Sequence, residues 1–400
     1  MHQSAPASDR PLNGLLVVAI EQAVAAPFAT RQLADLGARV IKVERPDAGD
    51  FARGYDRTVR GLSSYFVWLN RSKESLTLDI KQPQAREALA RLIERADVVV
   101  QNMGPGAAER AGLDAATLRA RHPRLIVCSV SGYGATGPYA ARKAYDLLVQ
   151  SETGVLSITG TPDAPAKVAF SVADIAAGMY AYTAVLAALL RRSQTGEGAT
   201  VEVSLFDALA EWMSQPAYFT KYSGRAPARS GARHASIAPY GPVATSDGTP
   251  IFMAVQNERE WVRFCRDVLA RPELLDDPRF ASNSDRVRHR EALEAIVEAL
   301  LREWSADALV ERLERAGIAC ARMNSVEQLL AHPQLEERRR WTTVGSPAGA
   351  LEVLLPPVTM DGLEPRMDTL PALGEHTASI LAELGFDPAT VAEWRTRGVA

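Results

Sequence analysis

Cysteine is scarce in this chain and histidine forms no cluster, and each shortage excludes a class of protein. The 400 residues include three cysteines, Cys128, Cys265 and Cys320, which lie far apart. An odd, sparse set excludes a disulfide scaffold and is typical of a reducing cytoplasm, where we expect the protein to work. The six histidines form no HExxH motif and no pairing with cysteine at the spacing of metal ligands, so we predict no metal site.

Net charge and long apolar runs are also lacking. The formal charge is −3 at pH 7, which gives no electrostatic reason to bind nucleic acid or an anionic membrane. No apolar run approaches the length of a membrane span, and Met1–Arg10 lacks the apolar core of a signal peptide. We therefore expect a small-molecule substrate, with no nucleic acid and no membrane as partner.

The order of the predicted elements indicates an α/β fold. A strand at Gly14–Glu21, a helix at Ala25–Leu36 and a strand at Val40–Glu44 form a βαβ unit, which predicts a parallel sheet. Strands and helices go on alternating as far as a helix at Leu205–Tyr222. The linker Ser223–Gly231, rich in Gly, Ser, Pro and Arg, then leads into a smaller α+β domain, and 400 residues are enough for two domains.

A single carboxylate, that of Asp174, interrupts the small and apolar residues of Phe170–Gly178. We expect it at the start of a long helix, from Ile175 to about Leu190. As an N-cap, Asp174 would accept a hydrogen bond from the first free N–H groups of that helix. As a nucleophile, it would stay ionised beside the helix dipole and attack an activated acyl carbon. The stretch alone favours the cap, since most aspartates at helix starts are caps.

Cations lie near three of the predicted strands. Arg45 follows the strand that ends at Glu44, and Arg110 follows the turn Asn102–Gly106. Asn70–Lys73 precedes a strand predicted at Leu76–Ile80. Ligands of parallel sheets bind at the carboxyl ends of the strands, and arginines there suit phosphates. Together the three clusters favour an anionic ligand with several phosphates.

A literal GxGxxG, made by Gly132, Gly134 and Gly137, follows another predicted strand. Such a motif is typical of dinucleotide binding when a helix begins inside it. Here Pro138 and Tyr139 follow and no helix begins, so a dinucleotide-dependent oxidoreductase stays an alternative that the context disfavours.

Several motifs occur together and in order along the chain. The set comprises Pro27, Leu36–Pro46, Asn102–Gly106, Ser131–Gly134, Asp174 in its small-residue run, and Leu373–Thr377. This set resembles the class III coenzyme A transferases, the family that contains formyl-CoA transferase, over roughly Leu12 to Val399. The resemblance implies an interlocked homodimer with a Rossmann-like large domain, whose sheet is parallel, and a smaller α+β domain. It implies that residues 1–222 form the large CoA-binding domain, 223–325 the small domain with its linker, and 326–400 a return segment that completes the large domain.

The same resemblance implies the chemistry. Coenzyme A would pass from an acyl-CoA thioester to a free acid through anhydride and thioester intermediates on Asp174, with no prosthetic group. Tyr145 would lie near the acyl group. The lack of a long glycine-rich loop between Tyr222 and Val255 points to relatives that use succinate, mesaconate, citramalate or itaconate, whose second carboxylate would bind Arg229, Arg233 or His234. The residues expected to contact coenzyme A are Arg45, Leu78, Asn102, Arg110 and Lys143.

Two further functions stay open. A 2-methylacyl-CoA racemase of the same superfamily would need a histidine where Tyr145 stands, and a phenol with a pKa near 10 is a poor proton shuttle at neutral pH. A non-catalytic CoA-binding protein would not need Asp174.

Overall fold

The computed structural model describes residues 10–400, so residues 1–9 of the expected large domain, and all but the last residue of the Met1–Arg10 segment, lie outside the described part. The strands are β1 (Leu16–Ile20), β2 (Arg39–Glu44), β3 (Lys73–Thr77), β4 (Val98–Gln101), β5 (Ile126–Ser131), β6 (Thr200–Ser204), β7 (Tyr240–Val243), β8 (Ile251–Ala254), β9 (Ala319–Arg322), β10 (Trp341–Val344) and β11 (Leu351–Leu354).

Helices connect these strands. They are α1 (Ala25–Asp35), α2 (Ser64–Leu69), α3 (Pro83–Ile93), α4 (Ala107–Ala111), α5 (Ala115–Arg121), α6 (Asp146–Glu152), α7 (Val155–Ile158), α8 (Val172–Thr195), α9 (Leu205–Trp212), α10 (Ser214–Ser223), α11 (Glu258–Arg263), α12 (Asn283–Arg288), α13 (Arg290–Leu301), α14 (Ala306–Arg315), α15 (Val326–Leu330), α16 (Pro333–Glu337), α17 (Thr377–Glu383) and α18 (Pro388–Thr396). A short 3-10 helix at Phe51–Gly54 follows β2.

The central sheet has six parallel strands in the order β3-β2-β1-β4-β5-β6, as the βαβ pattern predicted. Because helices cover both faces, β1, β2 and β4 are buried almost throughout. The strand order reverses between β1 and β4, and doubly wound sheets bind ligands in the crevice outside the carboxyl ends of the strands at such a reversal. We refer to this place as the switch point.

Two compact units divide the chain. The larger contains the chain up to Thr153, Val168–Ser214 and Glu337–Ala400, and the smaller contains Gly154–Lys167 and Gln215–Glu336. The boundaries expected after residues 222 and 325 differ from the observed ones, because both positions fall inside Gln215–Glu336 of the smaller unit. Residues 154–167 were expected in the large domain. They join the smaller unit because the Gly231 N–H donates to the Gly160 carbonyl.

The end of the chain seals the outer edge of β3. The His376 N–H donates to the Ser75 carbonyl, and the Ser75 N–H donates to His376 Nδ1 at 3.2 Å. The Gly374 N–H donates to Ser75 Oγ, and the Thr77 N–H donates to Thr377 Oγ1. An edge strand with unpaired backbone groups is a template for unwanted pairing, and the motif Leu373–Thr377 removes those groups from water.

Helix α8 is 24 residues long, and by length and composition alone it is long and apolar enough to cross a membrane. The expectation that no apolar stretch reaches that length was therefore wrong. Within the larger unit α8 packs on α1, α9, β5 and β6. A Cβ atom on Gly178 would lie 2.7 Å from the Ala25 carbonyl oxygen, so this glycine lets the first turns of α8 approach the start of α1.

The smaller unit has its own antiparallel sheet, β7-β8-β9, and its own apolar core. In this smaller unit, Arg286 is buried and connects several loops. Its guanidinium donates to both carboxylate oxygens of Glu258 and to the carbonyls of Ala238 and Phe280, and it lies over the Trp261 ring. A fully satisfied buried arginine of this kind fixes one arrangement of the loops around it.

Candidate active site

The predicted nucleophile and coenzyme A contacts lie at the end of the central sheet where the carboxyl ends of its strands meet. A helix between parallel strands runs opposite to them, so α8, which leads into β6, begins at the carboxyl ends of the strands. Its first turn carries Asp174. The loops after β2, β3, β4 and β5 reach the same edge. The predicted coenzyme A contacts on these loops and on α4 are Arg45, Leu78, Asn102, Arg110 and Lys143.

Asp174 is the third residue of α8 and not its N-cap. The N-cap is Ser171, whose side chain makes no capping hydrogen bond, and the helix begins three residues earlier than expected. Asp146 takes over the capping role, since the Ala173 N–H donates to its Oδ1 at 2.8 Å. The cap interpretation of Asp174 is therefore wrong, which leaves its carboxylate available for chemistry.

The ionisation of Asp174 also differs from expectation. Burial, and to a smaller extent the neighbouring charge of Asp146, raise the pKa of Asp174 from 3.8 to about 7. We expected the helix dipole to keep the carboxylate ionised. No hydrogen bond from the described residues stabilises its anion, and burial is the larger cause of the raised pKa. A carboxylate held in this way is a stronger base and nucleophile than one in water.

Tyr55 was not identified from the sequence, although it belongs to this site. It follows the 3-10 helix, is 47% exposed and packs edge-on against Tyr65 at 5.3 Å between ring centroids. Burial raises its pKa to about 12, and the charges of Asp50 and Asp174 add to that shift, as does Tyr145. Tyr55 therefore lies within electrostatic range of the predicted nucleophile and of the predicted acyl-site tyrosine. Tyr145 itself is 63% exposed, immediately before α6.

Three of the predicted coenzyme A contacts are exposed cations. The Arg45 guanidinium is exposed and donates to the Gly49 carbonyl at 3.3 to 3.4 Å. Arg110 lies against Gly106, where an added Cβ would meet its Nη1 at 2.7 Å. Lys143 is exposed in the loop before α6. Exposed cations at the carboxyl ends of parallel strands have the charge that suits an anionic ligand.

The other two predicted contacts have structural roles. Leu78 is 1% exposed, its side chain lies in the core of the larger unit, and its N–H donates to the Glu44 carbonyl at 2.8 Å. Asn102 lies at the switch point, where its Oδ1 accepts from the Gln22 N–H at 2.9 Å and its Nδ2 donates to the Gln22 carbonyl at 2.8 Å. Asn102 thus fixes the turn after β1 against the loop after β4.

The third predicted cationic cluster, Asn70–Lys73, is wrong as a ligand site because its members are buried. Arg71 pairs with Asp35 at 2.8 Å, and Lys73 Nζ donates to Glu21 Oε1 at 2.7 Å. The Arg71 guanidinium and the Lys73 ammonium are therefore both paired inside the protein. Burial lowers the pKa of Lys73 to about 8, although Glu21 opposes that shift.

A fully buried ion network lies beneath the switch point. Lys42 Nζ donates to Asp50 Oδ2 at 2.8 Å and approaches Glu21 Oε1 at 3.4 Å, and the side chains of Glu21, Lys42, Asp50 and Lys73 have no exposed surface. Burial would raise the pKa of Glu21, but Lys73 and Lys42 outweigh it and hold that pKa below its ordinary value. Buried charges persist only when each has partners, and here every charge has them.

The predicted substrate residues Arg229, Arg233 and His234 lie in the smaller unit. Arg229 donates to the carbonyls of Thr161 and Pro162 and is a structural residue. Arg233 pairs with Glu294 at 2.9 Å, beside a small cleft lined by both.

His234 is the freer of the remaining two. Its exposed ring stacks on Tyr240, and its Nδ1 accepts from the Ser236 N–H. In the neutral ring that bond leaves Nε2–H as a donor.

Other chemistries find little support in the described residues. The loop from Gly132 to Tyr145 contains no helix, and the next helix begins at Asp146, so GxGxxG lacks the helix start that a pyrophosphate needs. Gly132 has a packing role instead, since an added Cβ would overlap the Ala144 Cβ. Burial raises the pKa of Cys128 and Cys265 to about 12 and that of Cys320 to a lesser extent, so none is a thiolate nucleophile. Among residues 10–400, no three His, Cys, Asp or Glu residues form a metal-binding group.

Known proteins resemble the chain over nearly its whole length. The sequence profile of CoA-transferase family III matches residues 12–377. A succinate–glutarate CoA-transferase of Agrobacterium fabrum is 35% identical, over 94% of this chain and 96% of its own. An acetyl-CoA:oxalate CoA-transferase of Acetobacter aceti is 34% identical, over 96% of this chain and 98% of its own. The crystal structure of a CAIB/BAIF family protein from Brucella suis superposes with a TM-score of 0.81 at 37% identity, over 94% of this chain and 99% of its own.

Proposed function

The chain belongs to CoA-transferase family III, and we propose that it transfers coenzyme A from an acyl-CoA thioester to a small dicarboxylic acid, with Asp174 as the nucleophile. The observation that carries this proposal is the Asp174 carboxylate itself. It is partly buried in the first turn of α8, receives no hydrogen bond from the described residues, and shares the sheet edge with three exposed cations.

The proposed reaction has four steps. The Asp174 carboxylate attacks the thioester carbon, which forms an aspartyl–acyl anhydride and releases the coenzyme A thiolate. The thiolate attacks the aspartyl carbonyl, which forms an aspartyl-CoA thioester and frees the donor acid. The acceptor carboxylate attacks that thioester, which forms a second anhydride and the thiolate again. The thiolate then attacks the acyl carbon, so the new acyl-CoA leaves and the carboxylate is restored.

The surroundings of Asp174 support this role. A free acid is a poor nucleophile toward a thioester in water, and a desolvated carboxylate with a pKa of about 7 is a better one that is still ionised in half of the molecules near neutral pH. Arg45, Arg110 and Lys143 supply cations for the phosphates of coenzyme A. The Tyr55 phenol lies within electrostatic range of both Asp174 and Tyr145.

The dicarboxylate substrate is inferred from two sources. Relatives are named for succinate, glutarate and oxalate, and His234 offers an exposed Nε2–H that suits a carboxylate. Arg233 would have to exchange Glu294 for the substrate, so we assign it the smaller share of binding. His234→Gln is expected to lower activity toward dicarboxylic acids more than toward monocarboxylic acids of equal length. Equal losses would refute the assignment.

Trapping of the intermediate tests the nucleophile. The protein is incubated with succinyl-CoA and then with hydroxylamine, and the peptide that contains Asp174 is examined by mass spectrometry. We expect a hydroxamate on Asp174 and none in Asp174→Asn. Asp207→Asn is the matched control, since Asp207 is also the third residue of its helix but is exposed and bonded to Ser204. An unmodified Asp174 in a protein that still transfers coenzyme A would refute the proposal.

We also propose an interlocked homodimer in the cytoplasm. Large apolar side chains stay exposed on the larger unit, among them Leu190 and Trp212, and the free thiols fit a reducing compartment. Light scattering should give twice the chain mass of 43.3 kDa. A monomer that remains fully active would refute the dimer.

A further inference from the structure

The turn between β1 and α1 holds an unfavourable backbone conformation at the switch point. Ala23, in this turn, has φ of +63°, in the left-handed region that residues with a Cβ rarely adopt. That conformation costs roughly 1–2 kcal/mol for a residue other than glycine, so contacts outside the turn must hold it.

Two side chains from other loops, those of Asn102 and Asp50, hold the turn. Asn102 bonds both backbone groups of Gln22, as described above. The Ala23 N–H donates to Asp50 Oδ1 at 3.0 Å. Asp50 is 1% exposed, and its Oδ2 is fixed in turn by Lys42 Nζ at 2.8 Å.

The same Asp50 carboxylate organises the next segment of the site. Its Oδ1 also accepts from the Ala52 N–H at 2.9 Å, which caps the 3-10 helix that leads into Tyr55. The charges of both Asp50 and Asp174 act on the Tyr55 hydroxyl, so these three groups belong to one neighbourhood. On the other side, the start of α1 lies against Gly178, one turn after Asp174.

We propose that Asp50 is a positioning residue for acyl transfer, which holds the strained turn at Ala23 in the geometry that the thioester and Asp174 require. The proposal rests on the proposed transferase function. Asp50 does not touch the reacting atoms and acts through the turn. The buried Lys42 fixes Asp50 in place, and the ion network thereby connects the sheet to the active site.

The substitution Asp50→Ala removes the acceptor of the Ala23 N–H. We expect kcat to fall by about 10- to 100-fold, because misplacing a reacting group by about 1 Å costs on the order of 100-fold, while the KM for acyl-CoA changes little. Asp50→Asn keeps an oxygen for both N–H groups and should keep most of kcat while losing thermal stability. Glycine adopts positive φ at no steric cost, so Ala23→Gly in the Asp50→Ala background should restore part of kcat.

The controls separate positioning from stability. Asp247 of the smaller unit likewise accepts backbone N–H groups from two segments, those of Thr249 and Ala306, and Asp247→Ala should lower stability with kcat unchanged. If Asp50→Ala does not fold because the Lys42 ammonium is left unpaired, Asp50→Ala with Lys42→Met removes that charge and is measured instead.

The outcomes decide the proposal. An unchanged kcat in Asp50→Ala, or a lowered kcat that Ala23→Gly does not raise, overturns it. Hydrogen exchange of the peptide containing Ala23 gives a readout that needs no catalysis, and we expect faster exchange in Asp50→Ala than in wild type. If wild type transfers no coenzyme A, the proposed function fails, and hydrogen exchange alone decides whether Asp50 holds the turn.

Discussion

The ionised carboxylate of Asp174 should destabilise the folded protein, and the substitution Asp174→Asn measures the size of this effect. Burial and Asp146 raise its pKa from 3.8 to about 7, so the folded chain binds a proton that the unfolded chain releases between these values. Stability from this group is therefore fully present below pH 3.8 and is lost as the pH rises toward 7. The difference between a pKa of 3.8 and one of about 7 corresponds to about 4 kcal/mol, an upper bound because water reaches the partly exposed carboxylate.

Asparagine has the shape of the protonated acid at every pH. At pH 5, where the unfolded carboxylate has lost its proton and the folded one keeps it, Asp174→Asn should already be more stable than wild type, by up to about 1.6 kcal/mol. At pH 8 the variant should be more stable, by up to about 4 kcal/mol, although it transfers no coenzyme A.

Urea unfolding followed by circular dichroism at both pH values provides the assay, and the quantity compared is the change in stabilisation between pH 5 and pH 8. Asp207→Asn, at the same position of α9 but on an exposed residue, should show no such change. Equal stabilisation by Asp174→Asn at both pH values would refute the argument, because it would mean that the carboxylate ionises in the folded protein as it does in water.

Further predictions concern the surroundings of Asp174 and the smaller unit. Asp146→Asn keeps an acceptor for the first turn of α8 but removes a charge, so the apparent pKa in the pH profile of kcat/KM should move below about 7. It should stay above the ordinary value of an aspartate, because burial is the larger cause of the raised pKa. An unmoved profile would contradict this prediction. Gly178→Ala would place a Cβ atom 2.7 Å from the Ala25 carbonyl and should lower the unfolding free energy by about 1–3 kcal/mol in urea titrations, whereas a stabilised variant would show that α8 can shift. Arg286→Ala leaves buried carbonyls unpaired and should cost on the order of 3 kcal/mol in the smaller unit, measured by thermal unfolding, with an unchanged melting temperature as the contrary result.

Local patterns predicted the sheet and the place of Asp174. The spacing of apolar residues from Gly14 to Glu44 was enough for a βαβ unit, and a parallel sheet brings its loops to one edge whatever the details. The helix expected after Asp174 is present, but it begins three residues earlier than predicted, because its first turn is capped by Asp146 from another segment.

Long-range partners explain what the sequence did not reveal. The prediction that Lys73 belongs to a cationic ligand site was wrong because its partner, Glu21, is 52 residues away and only the folded sheet brings them together. Tyr55 carries no local signal, and its relation to Asp174 depends on the 3-10 helix held by Asp50. The raised pKa of Asp174 is caused mainly by burial, and rules for helix starts do not predict burial.

The closure of β3 has a consequence for how the protein is made. Ser75 and Gly374 are separated by 299 positions, so during synthesis the outer edge of β3 stays unpaired until Gly374 has been translated. At translation speeds of about 5–20 residues per second, that wait is at least some 15 seconds. During it the nascent chain presents an unpaired strand, which is where we expect chaperones to engage it.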